Sequence, residues 1–330
     1  MSRVELNEVV LRDGLQNESA HLSTDDKIAL ADALSPLGFA RLEVSSFTSP
    51  KAIPALADAA EVLARIARPA GTAVTALVPN RRGAERALGA DLDEMNLVLS
   101  ASETHNLVNL AMTRRRSIAA LGEVIALARE AKVPVNVSIS CCFGCPMEGK
   151  VASRDVLGLI EALALPGVIG VSICDTTGVA FPSQVRALCR EVSDAFPNLA
   201  RTVHLHDTRG LALPNLLAAL EAGVTRFDSA LGGLGGCPYA PGASGNVATE
   251  DVVHLLRHEG VECGVALDPL LALIPRLEAL VGHRLASSVG YAGDRSRRYE
   301  PPEGFEAIRE RALRRDAALD TADLPCTTDP

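Results

Sequence analysis

The sequence predicts an α/β fold, a (β/α)8 TIM barrel with a short helical C-terminal extension. Eight short β-branched or apolar runs alternate with longer runs of helical periodicity, and this order repeats at a spacing of roughly 20–40 residues, as in right-handed parallel β/α units. A count of eight strand-like runs favours a closed barrel over an open sheet. The predicted strands are Val4–Val10, Arg41–Val44, Ala73–Val78, Met95–Leu99, Val135–Ser140, Gly170–Cys174, Thr202–His206 and Arg226–Ser229.

Amphipathic runs between the predicted strands indicate the outer helices. Ser23 or Thr24 is placed to cap the first of these helices at its N-terminus. Gly38 and Gly223 lie where helices should end, because glycine accepts the left-handed conformation that closes a helix. The clearest helical runs are Asp25–Leu37, Pro54–Ala67, Ser117–Ala131, Ser183–Phe196 and Leu213–Ala222.

The C-terminal part of the chain follows a looser pattern. After Gly260 two further helices are predicted, over Asp268–Val281 and Pro301–Arg314. With 48% hydrophobic residues over 330 positions, the chain can bury one large core. The sequence therefore predicts a TIM-barrel domain over residues 1–285 and a helical extension with a tail over residues 286–330.

The composition disfavours several classes of partner. A net charge of −9 argues against nucleic acid or an anionic membrane surface as the main partner. No run approaches the roughly 18 apolar residues that span a bilayer, and residues 1–10 lack the features of a secretory leader. The eight cysteines are scattered along the chain, which favours free thiols in a reducing compartment. We therefore expect a cytoplasmic protein with no membrane or nucleic-acid partner.

Polar side chains recur where the predicted strands end, and catalytic residues of such barrels lie at those ends. The first strand runs into Arg12 and Asp13, and the sixth ends at Asp175 and Thr176. Taken alone, Arg12-Asp13 is a common turn composition and could form a surface salt bridge. Glu43 is more informative, because an acid inside an apolar strand must be satisfied when it is buried.

The seventh predicted strand ends with two histidines, His204 and His206. Residues two apart on a strand project from the same face, about 6.6 Å apart along the chain, so both imidazoles can reach one metal ion. A pair of hydrogen-bonded core histidines is the alternative, but an acidic residue at another strand end favours a metal site. Asp13 as a third ligand, with Glu43 behind it or binding substrate, would account for both acids. One carboxylate and two imidazoles with open positions suit Mg²⁺, Mn²⁺ or a related ion.

A glycine-rich segment, Gly232–Asn246, follows the eighth predicted strand. A flexible linker is one interpretation of it. It is not a phosphate-binding loop, because it contains neither GK[ST] nor GxGxxG. Its position favours a mobile lid that carries one reactive thiol, Cys237, as proton donor or nucleophile.

Cys142 and Cys145 form a CxxC pair after the fifth predicted strand. A zinc or redox site would require a second CxxC, a histidine pair at zinc-finger spacing or a thioredoxin context, and none of these follows. We therefore interpret this loop as a wall of the pocket.

Several segments together resemble one known family. The matching residues are Arg12–Glu18, Glu43–Phe47 with Ser49–Lys51, Gly144–Pro146 with Glu148–Lys150, His204–Thr208 and Gly233–Asp251. The sequence resembles the 3-hydroxy-3-methylglutaryl-CoA lyases, metal-dependent TIM-barrel lyases related to isopropylmalate and homocitrate synthases. The resemblance covers roughly residues 4–285, and GLGGCPYAPGASGN is its most specific motif.

The resemblance implies a divalent metal site. Asp13, His204, His206 and Asn246 would bind the cation, Mg²⁺ or Mn²⁺. The hydroxyl and a carboxylate oxygen of an acyl-CoA substrate would complete the coordination of this ion. The resemblance also suggests a homodimer.

The same resemblance implies retro-Claisen cleavage of 3-hydroxy-3-methylglutaryl-CoA or a similar thioester, giving acetyl-CoA and a keto acid such as acetoacetate. Arg12 would stabilise the enolate that forms on the thioester carbonyl, and Cys237 would be the catalytic thiol of the mobile loop. Asp13 and His204 would join them as catalytic residues. The residues expected to contact substrate are Arg12, Gln16, Glu43, Asp175 and Thr176, with Glu250 in or beside the site.

The sequence departs from the usual residues of this family near the pocket-lining segments. These departures leave the predicted metal and thiol residues intact, so they bear on the acyl group more than on the type of reaction. A longer or differently branched 3-hydroxyacyl-CoA is therefore an alternative substrate. A Claisen-condensing acyl-CoA synthase, which is a transferase, and a noncatalytic barrel that binds acyl-CoA or metal are alternative functions. The departing residues are Ser19, Ala52, Thr104, His105 and Met147.

Overall fold

The computed structural model describes residues 3–68, 70–236 and 245–316, and in it eight parallel strands close into a barrel. Each strand pairs with the next, and the last pairs with the first, so that Glu5 lies opposite Arg226. The fold class predicted from the sequence is confirmed. The strands are β1 (Glu5–Glu8), β2 (Arg41–Ser46), β3 (Ala73–Leu77), β4 (Glu94–Ser100), β5 (Val135–Ser140), β6 (Val168–Asp175), β7 (Ala200–Leu205) and β8 (Arg226–Ser229).

Helices follow the strands, and proline residues shorten two of the predicted ones. The first helix ends at Leu34, because Pro36 lacks a backbone N–H and the chain continues as a 3₁₀ turn over Ser35–Leu37. A separate 3₁₀ turn over Pro54–Leu56 precedes the second helix. The helices are α1 (Thr24–Leu34), α2 (Ala59–Arg65), α3 (Arg81–Leu88), α4 (Glu103–Leu110), α5 (Arg114–Glu130), α6 (Ser153–Leu163), α7 (Pro182–Ala195), α8 (Ala212–Glu221), α9 (Thr249–His258), α10 (Leu267–Val281), α11 (Val289–Ala292) and α12 (Phe305–Asp316).

The two ends of α1 show how local chemistry sets the helix boundaries. Ser23, rather than Thr24, is the N-cap, and its hydroxyl accepts the N–H of Asp26 at 3.1 Å. Past the helix, Gly38 has a φ of +97°, as predicted for a residue that closes a helix. A Cβ atom at Gly38 would lie 2.2 Å from the carbonyl oxygen of Gly264, so no larger residue fits there.

The inside of the barrel is polar, whereas the outward faces of its strands are apolar. Successive side chains of a strand point to opposite faces, and on β4 the residues Met95, Leu97 and Leu99 are completely buried in the hydrophobic core. Asn96, between them, lines a small cavity inside the barrel. Its side-chain oxygen accepts a hydrogen bond from Asn136 at 3.0 Å. The cost of burying these polar groups is therefore offset by hydrogen bonds between neighbouring strands.

Ion pairs join the amino-terminal parts of several strands. Arg41 contacts Glu5 at 2.9 Å and Glu94 at 3.1 Å, and Arg226 contacts Glu5 at 2.8 Å. These pairs neutralise the charges at the amino-terminal end of the barrel. The carboxyl-terminal end, where the loops that follow the strands converge, is the end that can hold a catalytic site.

The chain divides into two compact units, Met1–Ala292 and Gly293–Pro330. The first contains the barrel, together with α9 to α11. The second contains α12, which has no buried residue. The sequence-based domain boundary after residue 285 stays a prediction. Within the described ranges, no helix is both long enough and apolar enough to cross a membrane.

Candidate active site

A π-helical turn, Val10–Gly14, replaces the end of the predicted first strand and carries Arg12 and Asp13. The strand stops at Glu8, whose carboxylate accepts the N–H of Val10 at 2.9 Å and that of Leu231 at 3.0 Å. Such turns occur frequently at functional sites because they redirect consecutive side chains. Here the turn presents both side chains at the carboxyl end of the barrel.

Asp13, His204 and His206 come together at this end. Their ligand atoms lie within 4.8 Å of one another. The two Nε2 atoms of the histidines are 3.1 Å apart, and Oδ2 of Asp13 lies 3.9 Å from His204 Nε2 and 3.6 Å from His206 Nε2. Two imidazole nitrogens and a carboxylate facing one point form a donor set that fits a divalent cation.

A buried carboxylate, Asp228 of β8, orients His204. The Nδ1 atom of His204 lies 3.2 Å from Asp228 Oδ2, while Asn7 donates a hydrogen bond to Asp228 Oδ1 at 2.7 Å. A proton on Nδ1 leaves the lone pair of Nε2 directed at Asp13 and His206. Burial lowers the pKa of His204, but Asp228 and Asp13 more than offset this effect, and the pKa is raised. The surroundings of this imidazole therefore favour positive charge.

Asn246 supplies a fourth polar group beside Asp13. Its Nδ2 donates to Asp13 Oδ2 at 2.8 Å and to the carbonyl of Leu234 at 2.9 Å. The side-chain oxygen of Asn246 is buried and has no hydrogen-bond partner among the described residues. A buried oxygen without a partner is costly. An amide oxygen is an acceptable ligand for Mg²⁺ or Mn²⁺, so the residue fits the predicted metal site.

Arg12 is held between two carboxylates. Its Nε donates to Glu43 Oε2 at 2.6 Å, and its Nη1 donates to Asp13 Oδ1. Burial alone would raise the pKa of Asp13, but Arg12 and the two histidines hold that pKa well below its usual range. Asp13 is therefore ionised, and Arg12 carries a full positive charge at neutral pH. The guanidinium has five N–H donors, so these two contacts leave donors for a substrate oxygen.

Glu43, predicted to lie behind Asp13 or to bind substrate, is placed against Arg12 and the barrel interior. It is only 3% exposed, and its other oxygen accepts a hydrogen bond from Asn96 at 2.8 Å. Asn96 in turn accepts from Ser138 at 2.8 Å. This chain of hydrogen bonds holds Arg12 from beneath.

The interior residues that support the site, above all Asp228 and Asn96, were missed by sequence reasoning. Asn96 lies between Met95 and Leu97, which is the pattern that singled out Glu43, and the same criterion applied to β4 would have found it. Asp228 lies between Phe227 and Ser229, so its local signal is weaker.

A cavity of about 290 Å³ opens at the carboxyl end of the barrel, and the predicted site residues lie on its polar side. The side-chain oxygen of Gln16 is buried there without a hydrogen-bond partner among the described residues, so it is available to a ligand. Thr176 also lines the cavity, and its hydroxyl accepts the N–H of Cys141 at 3.1 Å. The residues on the polar side are Arg12, Asp13, Gln16, Thr176, His204 and His206.

The opposite side of the cavity is mainly apolar and includes two of the residues that depart from the family pattern. Ala52 and His105 both line it. Burial lowers the pKa of His105, so its imidazole is neutral at neutral pH. Met147 is 43% exposed. The apolar residues on this side are Ile53, Leu77, Pro79, Val98 and Leu110.

Three acids near the carboxyl ends of the strands support loops and do not line the cavity. Asp175, predicted to contact substrate, accepts the N–H groups of Val179 at 2.9 Å and Ala180 at 3.0 Å. Asp207 accepts the N–H of the first residue of α8 at 2.9 Å. Glu250 accepts the N–H of Gly232 at 3.1 Å. Their carboxylates thus fix the loops after β6, β7 and β8.

Cys237, the predicted catalytic thiol, lies outside the described residues. Gly236, immediately before it, lines the cavity, and its carbonyl accepts a hydrogen bond from Asn17 at 2.9 Å. The described chain therefore reaches the edge of the cavity one residue before this thiol.

The CxxC cysteines belong to the protein interior. The thiol of Cys142 donates to the carbonyl of Ile139 at 2.9 Å, and Cys145 accepts the N–H of Met147 at 3.4 Å. Burial raises the pKa of Cys142 far above its usual value, so this thiol stays protonated. These contacts agree with a loop that shapes the pocket.

Comparison with known proteins shows that the chain is similar to acyl-CoA lyases. The family model described as HMGL-like matches residues 3–275. The chain is 43% identical over 285 residues to hydroxymethylglutaryl-CoA lyase of Bacillus subtilis, covering 86% of this chain and 95% of that protein. It is 38% identical over 304 residues to (R)-citramalyl-CoA lyase of Chloroflexus aurantiacus, covering 89% and 96%.

A solved structure shows the same similarity in three dimensions. It is an HMG-CoA lyase from Acinetobacter baumannii in complex with coenzyme A and 3-methylmalate, with a TM-score of 0.88 and 44% sequence identity. The match covers 91% of this chain and 98% of that one. A group such as Asp13, His204 and His206 is typical of the metal site of this family.

Proposed function

This chain belongs to the HMGL-like family and is an acyl-CoA carbon–carbon lyase, and from that premise we propose that it cleaves 3-hydroxy-3-methylglutaryl-CoA to acetyl-CoA and acetoacetate. The observation that carries the proposal is the position of Arg12, whose guanidinium contacts Asp13 at the edge of the histidine pair. Arg12, which can polarise the thioester carbonyl, thus lies beside the residues that would hold the cation. That cation would in turn bind the hydroxyl and the carboxylate of the substrate.

Asp13, His204 and His206, with the side-chain oxygen of Asn246, would hold the divalent cation, Mg²⁺ or Mn²⁺. When bound, this ion supplies positive charge that lowers the pKa of the substrate's C3 hydroxyl and orients the oxygens of the substrate. Asp228 keeps His204 in the tautomer that such a role requires.

The reaction requires loss of the C3 hydroxyl proton and cleavage of the C2–C3 bond. The hydroxyl oxygen becomes the ketone of acetoacetate, and the electron pair of the broken bond passes to C2 of the departing acetyl-CoA as its enolate. Asp13, which Arg12 keeps ionised, is the group placed to take the hydroxyl proton. His204, with its Nδ1 held by Asp228, would help to position that hydroxyl through the cation.

Arg12 would stabilise the enolate. Negative charge develops on the thioester oxygen as the bond breaks, and a guanidinium fixed in advance stabilises that charge without reorganisation. Glu43 accepts a hydrogen bond from Arg12 Nε at 2.6 Å, and a hydrogen bond from Asn96 holds Glu43 in turn. The guanidinium is therefore in place before the substrate arrives.

Cys237 would return a proton to C2 of the enolate and so release acetyl-CoA. Its neighbour Gly236 lines the cavity, which supports this assignment. Cysteine suits the step because a neutral thiol near a cation gives up its proton readily.

A second substrate, citramalyl-CoA, is supported by the 38% identity to a lyase of that name. Its acyl group lacks one methylene between C3 and the carboxylate. One methylene changes the discrimination of a pocket by roughly 10–200-fold, so related enzymes can differ in preference through a few wall residues. Ala52 and His105 line the cavity. Because both differ from the usual residues of the family, a longer or differently branched acyl group is a further alternative substrate.

A substrate panel tests these alternatives. Protein loaded with Mg²⁺ or Mn²⁺ is assayed with 3-hydroxy-3-methylglutaryl-CoA, citramalyl-CoA and longer branched 3-hydroxyacyl-CoA esters, and acetyl-CoA release is measured. We expect the first to give the highest kcat/KM. A higher value for another ester would reassign the substrate, and no cleavage of any ester would reject the lyase. Condensation of acetyl-CoA with a keto acid in the absence of cleavage would indicate a synthase.

The assembly and location of the protein are also predictions. A homodimer would be seen by light scattering as a mass near twice that of one chain, and fractionation of the source cells would test a cytoplasmic location.

A further inference from the structure

Asn96 of β4 faces the barrel interior and has partners for both polar atoms of its side chain. Its Nδ2 donates to Glu43 Oε1 at 2.8 Å. Its Oδ1 accepts one hydrogen bond from Asn136 Nδ2 at 3.0 Å and another from Ser138 Oγ at 2.8 Å. Burying an amide is costly unless its polar atoms are satisfied, so these three contacts account for a polar residue at this position.

The two donors to Oδ1 fix the direction in which the Asn96 amide faces. If the amide were turned round, its oxygen would lie against the Glu43 carboxylate, which has no hydrogen to donate when it is ionised. Its nitrogen would then lie against the amide nitrogen of Asn136, which is also a donor. The donor side of Asn96 is therefore directed at Glu43.

Neighbouring strands in turn hold Asn136. It lies opposite Asn96 in the register of β4 and β5, and its Nδ2 also donates to Ser172 Oγ at 2.9 Å. Gly170 of β6 leaves room for it, because a Cβ atom there would lie only 2.9 Å from Asn136 Oδ1. These contacts join three strands of the barrel. We call Asn96, Asn136, Ser138 and Ser172 the Asn96 network.

Glu43 joins the Asn96 network to Arg12. One carboxylate oxygen accepts from Asn96, and the other accepts from Arg12 Nε at 2.6 Å. Burial raises the pKa of Glu43, and Arg12 and the hydrogen bond from Asn96 offset part of this effect. Without Asn96, the carboxylate would lose the hydrogen bond that fixes its plane, and the guanidinium would lose a fixed partner.

A different set of hydrogen bonds supports the predicted metal ligands. Asn7 donates to Asp228 Oδ1 at 2.7 Å, and Asp228 Oδ2 lies 3.2 Å from His204 Nδ1. Between the residues that the structure describes, no hydrogen bond joins this pair of supports to Glu43 or to the Asn96 network. The barrel interior thus holds the guanidinium and the imidazole through separate contacts.

We propose that Asn96 is a positioning residue that sets the place of the Arg12 guanidinium for enolate stabilisation, an inference that rests on the proposed lyase function. Asn96 lines the small interior cavity and not the active-site cavity, so it acts through Glu43. The charge that Arg12 stabilises develops only as the C2–C3 bond breaks. The position of the guanidinium therefore affects kcat, and neither KM nor metal affinity depends on it.

The test is Asn96→Leu, which keeps a branched side chain without its polar atoms. We expect kcat to fall about 10–100-fold, with KM for the thioester and Mn²⁺ affinity each changed less than about threefold. In an Arg12→Lys background the same substitution should lower kcat less than about threefold, because the guanidinium that Asn96 positions is already absent.

A milder variant guards against poor folding of Asn96→Leu. Asn136→Val removes one of the two donors to the Asn96 oxygen, and Asn136 does not line the active-site cavity. We expect kcat to fall about two- to fivefold, because the remaining hydroxyl donor still holds the amide in part.

The matched control is Thr75→Val. Thr75 lies opposite Glu43 in the register of β2 and β3 and lines the same interior cavity as Asn96. Its hydroxyl lies 3.5 Å from the carbonyl oxygen of Leu42 and does not contact Glu43. The control should retain the kcat of the wild type.

Four results would overturn the proposal. They are an unchanged kcat in folded Asn96→Leu, an equal loss in Thr75→Val, a loss of undiminished size in the Arg12→Lys background, and a parallel loss of Mn²⁺ affinity. If the wild type cleaved no thioester, the proposed function would fail. Crystal structures of wild type and Asn96→Leu would then decide the positioning role separately. Displacement of the Arg12 guanidinium in the variant would support that role, and an unmoved guanidinium would reject it.

Discussion

His204 Nδ1 lies 3.2 Å from Asp228 Oδ2, on the side of the ring away from His206 and Asp13. The contact joins neighbouring strands, since β7 and β8 place these residues in register opposite each other. A carboxylate behind an imidazole fixes both its tautomer and its orientation. The parallel register of the barrel thus prepares His204 as a metal ligand.

Asp228→Asn is expected to weaken divalent-metal affinity by about 10–100-fold, because the amide no longer holds the proton on His204 Nδ1 with a charge-assisted hydrogen bond. Calorimetric titration with Mn²⁺ measures the change. Asp194→Asn, at an exposed position of α7, is the control and should bind metal like the wild type. Unchanged affinity in Asp228→Asn, with the fold intact by circular dichroism, would show that Asp228 does not position the ligand.

His206→Ala is expected to lose bound metal altogether under conditions that saturate the wild type. The imidazole is buried 3.1 Å from its partner nitrogen on His204, and its removal leaves Asp13 and His204 as the remaining members of the group. Metal content after dialysis, measured by elemental analysis, gives the result. His21→Ala, at an exposed position outside the site, is the control. Retention of metal by His206→Ala would make the ligand assignment wrong.

Cys237→Ala should keep the metal yet lose activity by about 10²–10⁴-fold in kcat, the usual effect of removing a positioned proton donor. Metal content and turnover are measured on the same preparation. Cys263→Ala removes another thiol, which is only partly buried. It should retain wild-type turnover. Normal turnover by Cys237→Ala would remove this thiol from the mechanism.

Arg12→Lys tests whether the guanidinium has a role beyond its charge. Lysine cannot contact Asp13 and Glu43 and still point donors at a substrate oxygen, so kcat should fall by about 10²–10³-fold while metal affinity changes little. Steady-state kinetics and a metal titration separate the two effects. Equal loss of metal and of turnover would mean that Arg12 acts only by ordering Asp13.

The strands and the histidine pair could be predicted from the sequence because both depend on local periodicity. Eight apolar runs and two imidazoles spaced two residues apart are properties of short segments. Asp228 carries a weaker local signal, because its strand reads Arg226-Phe227-Asp228-Ser229 and only Phe227 is apolar.

The contact between Asn246 and Asp13 could not be derived from local pattern, since 233 residues separate them and only barrel closure joins them. The family resemblance implied only that both residues bind the same metal ion. The π-helical turn was also invisible, because it depends on Glu8 accepting an N–H from Leu231 in a distant segment. Asp175 was predicted to contact substrate because it lies at the end of a strand. In the structure its carboxylate accepts a backbone N–H of its own loop, which the strand-end pattern does not reveal.

Two buried acids at the base of the glycine-rich segment make stability depend on pH. Burial raises the pKa of Glu8 to about 8 and that of Glu250 to about 7. Both folded-state values exceed the ordinary value of 4.5. The folded protein therefore holds these protons at a pH where the unfolded chain has released them. The stabilisation is complete below about pH 4.5 and is lost as pH rises through about 8.

The free energy of unfolding should accordingly fall by several kcal/mol between pH 5 and pH 8, as far as these two groups decide it, because each unit of pKa difference corresponds to about 1.4 kcal/mol. Glu8→Gln imitates the protonated acid, since its amide can still accept the N–H of Leu231 and donate to Thr249, which lies 2.7 Å from Glu8. Urea unfolding at several pH values should therefore show a shallower decline for this variant and greater stability than wild type at pH 8. Glu123→Gln, on the exposed face of α5, should keep the wild-type slope. A Glu8→Gln slope as steep as that of the wild type would mean that Glu8 is already ionised in the folded protein.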